Sequence, residues 1–92
     1  ADDELSRIAR YQVEWTMGCN TENACLMTGE GVNNPYPHSR FLGLIPGGIM
    51  NGFIGTEEDE PFMDMEYTMD WRTTEYWSPH TCFYIWYVTL VK

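Results

Sequence analysis

Nothing restricts the architecture of this chain as severely as its C-terminal stretch. The spacing predicts a helix from about Thr74 to Leu90, with Pro79 near the first turn, where its missing N–H costs nothing. Trp77, Cys82, Phe83, Tyr84, Ile85, Trp86, Tyr87, Val88 and Leu90 then cover every face of it. A helix that is apolar all round needs burial on all sides. The alternative is a strand over Cys82–Val91, in which Tyr84, Trp86, Val88 and Leu90 alternate with Ile85, Tyr87 and Thr89. Both of its faces would be apolar too, so either reading demands covering layers. Periodicity alone does not separate the two, and helix is the preferred reading.

Little else in the chain can supply that cover. The segment Asp2 to Met17 reads as a second helix. Asp2, Asp3 and Glu4 place negative charge at its start, where the helix dipole favours it. Leu5, Ile8, Gln12 and Trp15 recur at spacings of three and four, Ala9 widens the stripe, and Gly18 supplies a stop. One stripe covers one side of a partner helix. The expectation is therefore that residues 1–92 form one segment, the C-terminal part of a larger domain. The chain starts at Ala1 with no basic region followed by an apolar one, which reads as processed or cut from something longer.

Between the helices, Cys19 to Glu66 holds seven of the eight glycines and four of the five prolines. Asn20, Gly29-Glu30-Gly31, Asn33-Asn34-Pro35, Pro46-Gly47-Gly48 and Asn51-Gly52 are turn chemistry in close succession. A structureless loop of this length is uncommon inside a compact domain and is usually functional. The run Glu57-Glu58-Asp59-Glu60, followed by Asp64, Glu66 and Asp70, must be solvated or share a cation.

Charge narrows the partners. Five Lys plus Arg against fourteen Asp plus Glu leave a net charge of -9. A nucleic-acid binder needs cations against phosphate, and an anionic membrane surface asks for the same, so neither partner is expected. No apolar run reaches the roughly eighteen residues of a membrane span. Cys19, Cys25 and Cys82 are an odd number without metal-ligand spacing, so one bridge plus a thiol and three reduced thiols both stay open.

Glu75 is the carboxylate that physical reasoning selects. Trp71, Tyr76 and Trp77 flank it in sequence, and a carboxyl among aromatic groups loses solvation, stays protonated near neutrality and can act as a general acid. The plainer reading is a helix-start Glu stabilised by the dipole. His38 and Arg40, in Pro37-His38-Ser39-Arg40, are donor-rich groups on a rigid loop and suit sugar hydroxyls, or are two ordinary surface residues. His80, five residues after Glu75, orients it or is a satisfied buried histidine. The acidic run with Asp64 is compatible with a structural Ca²⁺, although no EF-hand spacing is present and a solvated acidic loop explains it equally.

These residues, taken in order, resemble a family. Gln12-Val13-Glu14-Trp15-Thr16-Met17-Gly18-Cys19-Asn20 is followed by Gly29-Glu30-Gly31 and Asn33-Asn34-Pro35-Tyr36-Pro37-His38-Ser39-Arg40. Then come Pro46-Gly47-Gly48, an acidic loop with Asp64, and Trp71-Arg72-Thr73-Thr74-Glu75-Tyr76-Trp77. The run is similar to the C-terminal end of the glycoside hydrolase family 9 endoglucanases. That resemblance implies an all-α fold, the last helical hairpin and long active-site loop of an (α/α)6 barrel that this chain holds only in part. It implies an inverting glycosidase acting on cellulose or a related β-glucan, with the remainder of the barrel as partner, no required cofactor, and secretion or a periplasmic location. By the same resemblance Glu75 is the general acid, His38 and Arg40 contact substrate, Tyr76 and Trp77 wall the sugar site, and Asp64 supports it. The catalytic base lies upstream of this chain. Thr74 departs from the family's Asn before the acid. The rival is a stand-alone module, without catalysis, that binds carbohydrate or calcium.

Overall fold

A computed structural model describes residues 3–38 and 43–90. Three helices and one small sheet run in the order α1 (Asp3–Thr16), β1 (Ile54–Gly55), β2 (Pro61–Phe62), α2 (Trp71–Thr74) and α3 (Ser78–Leu90). The all-α expectation, and with it the (α/α)6 hairpin, is overturned: the fold is mixed, and its sheet arises inside the segment read as loop. β1 and β2 pair antiparallel, Ile54 opposite Phe62 and Gly55 opposite Pro61. The acidic run is the turn of this hairpin. Thr56 ties it together, its hydroxyl accepting from the amides of Glu58 and Glu60 and its carbonyl accepting from Asp59. Asp59 takes a φ of 60° there, a conformation that Asp tolerates better than most residues. Four carboxylates in a solvent-exposed turn repel little, which is why the run sits at the tip.

The core also lies in this glycine-rich half. Among the described residues, Ala24, Cys25, Leu26, Ile49, Met50 and Met63 are buried apolar side chains, and Pro35 and Pro37 are buried as well. Residues 24–28 and 48–52 carry all of these but the prolines and Met63, which follows β2, and residues 73–76 at the end of α2 add the buried Thr73 and Thr74 to the same layer. Residues 24–28 meet 48–50 through Met50 N to Leu26 O (3.1 Å) and Thr28 N to Gly48 O (3.0 Å). Residues 50–52 meet 73–76 through Asn51 N to Glu75 O (3.0 Å), Gly52 N to Thr73 O (2.8 Å) and a bridge between Met50 and Tyr76. Buried amides need partners, and here each segment supplies them to its neighbour without regular strands. Asn side chains complete the network. Asn34 Nδ2 reaches the carbonyls of Cys25, Met27 and Glu30 within 3.0 Å. Asn20 donates to Trp15 O and Ala24 O and accepts from the amides of Glu22 and Ala24. Gly31 closes against this layer at φ 59°, where an added Cβ would stand 2.9 Å from Cys25 Cβ.

The helices lie on this layer. α1 starts as the acidic first turn predicts, and Trp15 meets Phe53 with ring centroids 5.0 Å apart. Tyr87 of α3 donates to Ala9 O of α1, and Ile49 N reaches Thr81 Oγ1 at 3.4 Å. Neither helix contains a fully buried residue. Phe83, Trp86 and Leu90 are 59–70% exposed, so the all-round burial expected for the last helix is not realised within the described residues. That helix also begins later than expected. The predicted helix from Thr74 breaks into α2 and α3, with Glu75 to Trp77 extended between them. Asn51 draws Glu75 into backbone pairing at the point where a continuous helix would need its carbonyl, and Pro79 then opens α3. No described helix is long and apolar enough to cross a membrane.

Candidate functional site

Glu75 is held by its backbone. It caps α2 at φ -74°, ψ 136°, its amide donating to Trp71 O (3.2 Å) and its carbonyl accepting from Asn51 N (3.0 Å). The residues on either side are pinned as well. Thr74 is buried, and its carbonyl accepts from His38 N at 3.0 Å. Tyr76 packs its ring beside Gly48, where an added Cβ would stand 2.8 Å from Cε1. Its hydroxyl shares a hydrogen bond with Thr28 Oγ1 (2.5 Å) and accepts from Ile45 N (3.1 Å). The stretch 74–76 is thus fixed residue by residue, while the Glu75 carboxylate projects from it exposed. The aromatic enclosure expected around that carboxylate is not formed: Trp71 and Trp77 are each more than half exposed. The desolvation argument for an acid therefore loses its footing in the described residues.

Of the residues selected from sequence, His38, Glu75 and Tyr76 are brought together. Arg40 lies outside the described residues. Trp77 turns to His80, edge on, with ring centroids 5.2 Å apart. His80 lines a groove between α1 and α3.

Asp64 has a structural place. It is 2% exposed. Oδ1 accepts from the amides of Glu66 (3.2 Å) and Thr68 (3.0 Å), and Oδ2 from the amide of Asp70 (3.1 Å). Burial pushes its carboxyl up, but the Thr68 and Asp70 amides, the Thr68 hydroxyl and the Glu66 amide outweigh that and hold it below the usual carboxylate range. Within the loop so closed, Tyr67 and Met69 sit at φ 56° and 64°. A left-handed backbone costs roughly 1–2 kcal/mol for each such residue, and charge-assisted hydrogen bonds are the kind that offset it. Asp70 carries the order onward. Its carboxylate accepts from Arg72 N at the start of α2 and pairs with the Arg72 guanidinium at 2.7 Å, which holds the Asp70 carboxyl below its ordinary value against a smaller effect of burial.

Sequence reasoning missed Asn51. It looked like half of an Asn-Gly turn, and nothing local marks it otherwise. In the fold it donates from Nδ2 to Trp71 O (2.9 Å) and from its amide to Glu75, so it clamps both ends of α2. Asn51 Oδ1 and His38 Nδ1 are buried without a hydrogen-bond partner among the described residues. Both residues are hydrogen-bonded to the 74–75 backbone. Unsatisfied buried polar atoms are uncommon, and each asks for an explanation such as a bound group.

A second feature is the groove of about 530 Å³ between α1 and α3, walled by Trp15, Phe83, Tyr84, Trp86, Tyr87 and Leu90. Burial, and then the neighbouring Cys25, push the Tyr84 hydroxyl above its ordinary value. Among the described residues no group of three or more His, Cys, Asp or Glu stands together as a metal site. All three cysteines are free, Cys25 buried and Cys19 and Cys82 exposed.

No protein-family model, curated protein or solved structure was found to match this chain.

Proposed function

We propose that this chain is the acid-bearing segment of an inverting glycoside hydrolase acting on a β-glucan-like polysaccharide, with Glu75 as the proton donor. The observation that carries the reading is the convergence at residues 74–76. An exposed carboxylate stands on a backbone fixed at three consecutive residues, next to two residues that each keep an unpaired buried polar atom. A sugar carries hydroxyls that can satisfy such atoms, and a positioned carboxylic acid is what protonation of a glycosidic oxygen requires. The resemblance of the ordered sequence run to the family 9 enzymes points the same way. By the resemblance the base belongs to an upstream Asp-rich motif that this chain does not contain, and Asp64 and Asp70 are themselves engaged in holding the loop. The exposed apolar faces of α1 and α3 are where that polypeptide would dock, and the isolated chain is expected to be inactive.

The test is Glu75→Gln in the intact protein. Loss of general-acid catalysis is expected to slow hydrolysis of an unactivated β-glucan by about 10²–10⁴-fold. An aryl glycoside with a good leaving group, which needs no protonation, should lose far less. Equal losses on both substrates would assign Glu75 another role, and an unchanged rate on both would remove it from the chemistry. Proton NMR of the first-formed product should show an inverted anomeric centre.

A further inference from the structure

We propose that the buried Asp64 carboxylate is a positioning group for Glu75: by closing the loop 64–70 it sets α2, and α2 sets the backbone that Glu75 shares with His38 and Asn51. The links are continuous. Asp64 gathers the amides of Glu66, Thr68 and Asp70. Asp64 N in turn donates to Thr73 Oγ1 (3.3 Å), so the loop is latched to α2 from both sides of one residue. Asp70 O accepts from the amides and hydroxyls of Thr73 and Thr74, all four between 3.0 and 3.1 Å. Thr73, Thr74 and Glu75 then offer their carbonyls to Gly52, His38 and Asn51. A second tie runs from the same loop: Tyr67 meets Tyr36 with ring centroids 4.5 Å apart, and Tyr36 is two residues from His38.

The loop cannot hold itself in this form. Tyr67 and Met69 both occupy left-handed backbone that bulky residues avoid, so its ground state depends on the acceptor at its centre. A neutral amide in place of the carboxylate keeps the size, loses the charge and turns one of the two acceptor oxygens into a donor facing N–H groups. The titratable and charged groups on the segments packed into this cluster are Glu66, Tyr67, Asp70, Arg72 and Glu75 on its own stretch and Tyr36 and His38 on the facing one; residues 48–52 carry none. That Glu75 is the working acid rests on the glycosidase reading, whereas the placement of its backbone by Asp64 does not.

Amide hydrogen exchange on the intact protein, resolved to single residues, tests this directly. In Asp64→Asn at pH 7, the amides of Glu66, Thr68 and Asp70 are expected to lose roughly tenfold or more of their protection, the scale of a hydrogen bond to a charged group. His38 and Asn51, whose amides reach Thr74 and Glu75, should lose protection with them, while Leu26 and Met50 keep theirs. Unchanged protection at His38 and Asn51 overturns the proposal, whatever happens in the loop. Should the variant lose protection at Leu26 and Met50 as well, the wild-type protein decides. As the pH falls and the ¹³C signal of the Asp64 carboxyl titrates, the loop amides, His38 and Asn51 should open together and before Leu26 and Met50. Simultaneous opening of all of them overturns it. Hydrolysis is scored separately: an inactive protein with the expected exchange pattern refutes the glycosidase reading and leaves the positioning intact.

Discussion

The segment 24–28 and the helix α3 are both rich in apolar side chains, yet they end in opposite environments. Ala24, Cys25 and Leu26 are at most 3% exposed, in a stretch with no regular secondary structure. Phe83, Trp86 and Leu90, in thirteen residues of continuous helix, face solvent within the described chain. A helix satisfies its backbone internally and can stand exposed. An irregular segment cannot: its amides must find carbonyls elsewhere, and that requirement drew 24–28, 48–52 and 73–76 into one layer. Order here follows from hydrogen-bond accounting across segments more than from local regularity. The glycines and asparagines that read as loop are the residues that allow the close approach.

The sharpest way to break this contrast is a cavity in the layer. Met50→Ala should cost about 2–5 kcal/mol, since Met50 is 1% exposed and is bonded to segments on both sides. Urea unfolding of the 92-residue chain measures it; a loss below 1 kcal/mol would mean that the layer is not the core. Asn34→Ala comes next. It strips donors from three carbonyls, only that of Cys25 part-buried, and about 0.5–1.5 kcal/mol is expected in the same assay, the net worth of a hydrogen bond whose acceptor water can reach.

Acid should loosen the loop 64–70 and its attachment to α2 before the core of the layer. The Asp64 carboxyl is held below its ordinary value, so its contribution is fully present above the unfolded carboxylate pKa of about 3.9 and is lost as the pH falls through the lower folded value. Near-ultraviolet circular dichroism from the aromatics tied to this loop, Tyr36, Tyr67 and Trp71, should change below about pH 4. No loss in that window would contradict the assignment. The smallest effect is expected on α3. Trp86→Ala should change stability of the isolated chain by no more than about 0.5 kcal/mol, as surface substitutions do. A cost near that of Met50→Ala would show the helix covered in solution, and would erase the contrast.

Adjacency within the candidate site was partly legible beforehand, its chemistry being a proposal. Glu75, His38 and Tyr76 were selected from residue type and order, and the fold places them on adjoining backbone. Asn51 was not legible, because an Asn before Gly reads as a turn wherever it occurs. His80 and Trp77 were selected as neighbours of Glu75 in sequence, and the extended break after α2 turned them toward each other instead. The all-α expectation failed for a related reason. Two residues on each side of an acidic turn are too few to show alternation, and the hairpin exists through pairing that no period announces.

What the amino-acid order alone determined is local: an amphipathic first helix with an acidic start, a late helix running to Leu90, and a turn-rich stretch between them. Those follow from side-chain spacing, capping and φ preference within a few residues. The tertiary structure decided which half became the core, where the late helix would break, and which polar atoms would remain unpaired beside Glu75. Each of those depends on contacts such as Asn51 with Glu75 and Thr28 with Tyr76, whose members lie far apart in the chain. Such contacts exist only once the segments between them have closed.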